Sequence, residues 1–189
     1  MKALLRGSDL VGLPVVTIAG DDVAEVRDVV FDADAGRVLG FTLNRRGRLA
    51  KRMKETLERT SVSAVGPDAV IVADEDAVST EDLRASGHGP GGNVIGNRVM
   101  TDDGVRVGTV TDVVIDTAVG SVVGYEVAPA DEPSGRHGRR SYVPLPDVGA
   151  VSGEALMVPA AAVDYVTTDF AGFAEAVDRF RASMRGERP

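Results

Sequence analysis

Two pairs of aspartates stand where carboxylates could do chemistry. Asp28 and Asp32 bracket the run DVVFD, and Asp112 and Asp116 bracket DVVID. At this spacing on one side of a strand, two acids could hold a cation or share a proton in acid–base work. The plainer reading is structural. Asp32 and Asp116 open turns, and Asp28 and Asp112 bond neighbouring backbone N–H groups. That reading is preferred because each copy of the motif would otherwise carry the same site. Asp32-Ala33-Asp34-Ala35-Gly36 opens like a calcium loop, but it lacks the third acid and the bidentate Glu at loop position 12. His88 and His137 lie in Gly/Arg-rich loops rather than beside acids at ligand spacing, and with no cysteine the sequence does not point to a zinc site. No serine sits in a nucleophile elbow, and the glycines of 87–92 precede no helix. The expectation is therefore no catalytic residue, no metal site and no cofactor.

Basic side chains are the sharper candidates. Asn44–Arg59 holds seven basic residues against two acidic ones, on a chain whose formal charge is −8. The divergent loop of the second copy is also basic at its end. The candidate partner-binding residues are Arg45, Arg46, Arg48, Lys51, Arg52, Arg136, Arg139 and Arg140. A protein partner is one reading. An RNA contact is another, weakened by the absence of aromatics from the first loop and by the acidity of the whole molecule. The plainest is a solvated loop paired with the acidic residues of 74–82. Leu49, Met53 and Leu57 could also line one face of a short helix there.

The elements that carry these residues come from a repeat. Gly12–Leu43 recurs without a gap as Gly96–Val127, an offset of 84 positions, with matched Val15/Val99, Thr17/Thr101, Gly20/Gly104, Val23/Val107, Asp28/Asp112 and Gly40/Gly124 among others. Each copy reads as a short strand, a turn at Gly20-Asp21-Asp22 or Asp102-Asp103-Gly104, a long strand, a second turn and a third strand. Apolar residues crowd both sides of the long strand near its end, which predicts a strand covered on both faces there, or bulged. Gly40 and Gly124 lie inside the third strand and predict a bulge, a corner or a close backbone approach. Ala69–Ala73 and Ala155–Val158 read as closing strands, and Ala85–Gly92 as a flexible linker. Phe170, Phe173, Ala174, Val177, Phe180 and Met184 recur at helical spacing, predicting a C-terminal amphipathic helix capped by Thr168 or Asp169 and covering the core. Units of about 80 residues are marginal alone, so the two are expected to pack together with a pseudo-two-fold relation. No apolar run is long enough for a signal peptide or a membrane helix, which predicts a soluble cytoplasmic protein.

Leu10-Val11-Gly12, Val15-Val16, Gly20, Glu25–Asp32, Gly36 and Val38 resemble the PRC-barrel pattern. Ile95-Gly96, Gly104, Val107–Asp116, Gly120 and Tyr142–Val148 resemble it more closely, because Gly108 stands where the first copy has Ala24 and Pro144-Leu145-Pro146 where it has Glu58-Arg59-Thr60. The resemblance implies an all-β fold of two tandem small barrels with a C-terminal α-helix, of the free-standing type. The expected bounds are 8–78 and 93–166 for the barrels, 79–92 for the linker and 168–185 for the helix. It also implies a docking module rather than an enzyme: a protein–protein adaptor or scaffold, with an RNA- or ribosome-associated module as the alternative. A homodimer is compatible with both.

Overall fold

The computed structural model describes residues 3–32, 35–45, 52–80, 83, 94–130, 139–146, 151–152 and 155–186, with backbone alone at 52 and 151–152. The chain divides into two compact units. The first holds Met1–Asp32, Arg37–Gly92 and Asp116–Ser121; the second holds Ala33–Gly36, Asn93–Ile115 and Val122–Pro189.

In the first unit, β1 (Leu4–Arg6) and a single turn of helix, α1 (Gly7–Leu10), precede β2 (Pro14–Thr17), β3 (Asp22–Asp32), β4 (Arg37–Asn44), β5 (Arg52–Glu58), β6 (Val62–Val65), β7 (Val70–Val72) and β8 (Val78–Ser79). The strands join in the order β8-β5-β4-β3-β2-β7-β6. Successive strands pair antiparallel, but β7 runs parallel to β2, with Val70 opposite Val15. The sheet curls around Val15, Val26, Phe41, Leu43, Leu57 and Val70, all at most 1% exposed.

The second unit repeats this plan with β9 (Arg98–Thr101), β10 (Arg106–Asp116), β11 (Ser121–Pro129), β12 (Ser141–Pro144), β13 (Val151–Ser152) and β14 (Ala155–Val158). Its order is β13-β14-β9-β10-β11-β12, and β14 is parallel to β9 as β7 is to β2. A 3₁₀ turn, Ala160–Tyr165, leads to α2 (Phe173–Met184). The apolar stripe of α2 packs inward, with Phe173, Ala176, Val177 and Phe180 at most 3% exposed. Phe173 and Phe170 lay their rings against Tyr142 at 5.6 and 5.1 Å.

The copies share their irregularities. The first hairpin of each carries a bulge at the same matched residue, Val23 or Val107, where the register skips one position. Further register shifts mark β3 against β4, so this long strand is bulged. In β10 every residue from Asp112 to Asp116 is buried, so that strand is covered on both faces at its end. Gly40 and Gly124 mark close approaches. A Cβ on Gly40 would lie 2.2 Å from the Leu57 carbonyl oxygen, and one on Gly124 would lie 2.4 Å from Phe173 Cζ and 2.6 Å from the Val143 oxygen.

Two expectations need correcting. The second half of the basic segment is strand β5, neither loop nor helix. Thr56 pairs with Thr42 and Leu57 with Phe41, and Leu57 is fully buried. The residues RMKETLE are mostly good helix formers; the open edge of β4 and the apolar interior behind it override that preference. The regular helix also starts at Phe173 with Gly172 as its cap residue. Asp169 instead holds the turn ahead of it, accepting the N–H groups of Ala171 and Gly172 at 3.0 and 3.1 Å.

Candidate functional site

Three of the four paired aspartates are bonded to the backbone. Asp28 Oδ1 accepts the N–H of Val29 at 2.9 Å, and Asp112 Oδ1 accepts that of Val113 at 2.8 Å. Asp116 Oδ1 accepts the N–H of Ala118 at 3.0 Å, closing its turn. Asp32 faces Arg37 at 3.7 Å. These bonds hold the ends of the long strands and match the structural reading. Among the described residues no three His, Asp or Glu side chains stand together as a metal site, and no helix is long and apolar enough to cross a membrane.

The basic candidates divide. Arg46, Arg48, Lys51 and Arg136 lie outside the described residues, as does the side chain of Arg52; so do His88, His137 and residues 84–92 of the linker, whereas Ser79 at its start is in strand β8. Arg45 is exposed at the end of β4, and Arg139 is exposed just before β12. Arg140 is different. Its guanidinium pairs with Glu126, whose side chain is entirely buried while that of Arg140 is 54% exposed. Thr111 donates its hydroxyl to Glu126 Oε1 at 2.8 Å, and the phenol of Tyr142 donates to Oε2 at 3.2 Å. A carboxylate out of water needs this full set of donors. The charge of Arg140 is therefore largely spent inside its own unit.

Sequence reasoning missed Glu126. The signal was a lone acid in the strand SVVGYEVAP, at the position where the first copy has Thr42. In the first unit Thr42 and Thr56 occupy the places of Glu126 and Tyr142, and both are buried. The neighbouring phenol of Tyr125 is 3% exposed, and burial pushes its pKa up to about 12.

Sequence reasoning also missed a cleft in the second unit, about 260 Å³ in volume. Valines 105, 107, 127, 163 and 166 and Pro129 line it, with Arg106 and Ser141 as its polar members. Val105 and Val163 stay 55% and 44% exposed at its edge. Val105 follows the first turn of its copy, and that turn is built alike in both. Thr17 Oγ1 accepts the N–H of Asp21 at 3.0 Å, and Thr101 Oγ1 accepts that of Val105 at 2.9 Å. Gly20 and Gly104 supply the left-handed residue, at φ +95° and +89°. The backbone is the same, but Asp21-Asp22 has become Val105-Arg106.

No match was found among curated proteins. The model of the PRC-barrel domain matches residues 3–78 and, a second time, residues 91–164. With two matches covering most of its length, each over one curled sheet with a parallel closing strand, the chain belongs to the PRC-barrel domain family.

Proposed function

We propose that this chain is a non-enzymatic adaptor or scaffold that binds a protein partner. PRC-barrel domains form a non-catalytic fold family and occur in adaptor-like proteins. The observation that carries the reading is the contrast between the acids and the valines. The paired aspartates are used in holding strands and turns, whereas Val105 and Val163 are left at the surface beside an apolar cleft. Exposed aliphatic side chains grouped at an apolar cleft suit a partner surface.

The test is a tagged pull-down with mass spectrometry on the full chain. It is repeated with Arg45, Arg46, Arg48 and Lys51 made neutral and β5 left intact, since Leu57 belongs to the core. A defined protein retained after nuclease treatment is the expected result. Recovery of RNA alone, with binding that falls steeply with salt and is lost in the variant, would overturn the adaptor reading in favour of an RNA-associated module.

A further inference from the structure

We infer that the two repeats are interlocked: each lends the turn of its long hairpin to the other's compact unit, so neither repeat is complete alone. The inference goes beyond the adaptor reading and does not depend on it. The make-up of the units carries it. The first unit holds Asp116–Ser121, which belong to the second repeat, and the second holds Ala33–Gly36, which belong to the first. These are the matched turns of the two copies. Inside each unit the borrowed turn makes the same bond. Val38 donates its N–H to the Gly120 oxygen at 2.8 Å in the first unit, and Val122 donates to the Gly36 oxygen at 2.8 Å in the second. Val38 matches Val122 as Gly36 matches Gly120. Two equal bonds between matched residues are what a reciprocal exchange produces.

In the first unit the turn is also clamped. The Ala3 oxygen accepts both the N–H and the hydroxyl of Thr117, each at 3.0 Å. Arg59 donates to the oxygens of Thr117 and Ala118, both at 3.2 Å, and to that of Val62 at 3.4 Å. One guanidinium thus ties two carbonyls of the turn to a strand of the first repeat. Thr117 and Gly120 are buried, while Ala118 and Val119 at the apex stay exposed. The clamp is not repeated, since Leu145 stands in the second copy where the first has Arg59. A Cβ on Gly120 would lie 2.8 Å from Arg59 Nε, whereas one on Gly36 would meet nothing among the described residues within 4 Å. Both glycines are left-handed, at φ +74° and +60°, so alanine is strained at either. The pair therefore separates backbone strain from loss of the clamp.

The test cuts the chain. A protease site is inserted between residues 84 and 92 of the full chain, and cleavage is verified on a denaturing gel. The two pieces are expected to elute together at the mass of one chain, to unfold in one urea transition and to part only in denaturant. Arg59→Ala should weaken their association at least about tenfold, measured by diluting the dye-labelled cleaved protein. Pieces that separate on cutting would overturn the inference. So would elution at twice the mass of the chain, because the turns would then be exchanged with a second copy. A second test needs no cut. In the intact chain Gly120→Ala should lower the urea midpoint further than Gly36→Ala, and the difference should vanish in the Arg59→Ala background. Equal midpoints for the two glycine variants, or a difference that survives without Arg59, would overturn the seating of the turn in the first unit.

Discussion

Replacing Gly124 by alanine tests how the C-terminal helix is seated. Intrinsic preference alone predicts a gain, because Gly inside a strand costs about 0.5–1 kcal/mol relative to Ala. Local geometry predicts the opposite. The new methyl would lie 2.4 Å from Phe173 Cζ and 2.6 Å from the carbonyl oxygen of Val143. Ordinary carbon contacts are about 3.5–4.0 Å, so the ring must retreat by about 1 Å. It has nowhere to go, being fully buried and packed on Tyr142. The Val143 oxygen belongs to β12, which pairs with β11 at this point, and moving it weakens a ladder hydrogen bond worth about 1 kcal/mol. Overpacking adds about 1–3 kcal/mol. Net of the intrinsic gain, Gly124→Ala should destabilise by about 2–3 kcal/mol, a fall in Tm of about 10–20 °C for a unit of this size. Urea and thermal unfolding followed by circular dichroism measure it. Phe173→Leu in both backgrounds isolates the contact, and a coupling of about 1 kcal/mol is expected. A Gly124→Ala protein as stable as the wild type, with no coupling to position 173, would refute the seating of α2 on β11.

Two further predictions concern buried polar groups. Arg140→Ala strips the cation from a carboxylate that has no water, and should cost about 2–3 kcal/mol; it stays below the figure for a fully enclosed pair because Arg140 is half in solvent. Glu126→Leu together with Tyr142→Phe removes the buried polar atoms altogether and should cost less, so urea midpoints that reverse this order would sink the account. For Tyr125, the folded pKa of about 12 lies above the ordinary value of 10. Its contribution is therefore fully present below pH 10 and is lost as the pH rises from 10 through 12, at about 1.4 kcal/mol per pH unit across that window. Tyr125→Phe should lack that alkaline loss, and parallel unfolding curves for the two proteins between pH 9 and 12 would contradict it.

Much of the scaffold was legible because its restraints are local and occur twice. The left-handed glycines and the threonine that closes each first turn recur at one offset. So do the valines of the long strand, and each recurrence was visible without coordinates. The apolar stripe of α2 was legible for a related reason, since Phe173, Val177 and Phe180 fall on one side of a helix whatever they pack against. Strand β5 was not legible. Its residues favour helix, and the open edge of β4 that captures them lies outside the segment itself. Glu126 escaped because its partners come from two other segments: Thr111 in β10, and Arg140 and Tyr142 at the start of β12. The cleft escaped because Val105 reads as one more strand valine until its exposure is known. Glu126 and the cleft thus both lie where the second copy departs from the first.

The parallel pairing of β7 with β2, and of β14 with β9, bears on how the protein is made. Val15 meets Val70 and Val99 meets Leu156, each pair more than fifty residues apart. The hairpins between them can form early, from neighbours in the chain, whereas the seam can form only after the whole unit exists and a long loop has been closed. Each unit should therefore pass through a stage with its hairpins made and the edge of its first strand unpaired, the moment at which a foreign strand could most easily add to it. For the first unit the missing strand follows within the same repeat, so the exposed edge can be covered before the second repeat is complete.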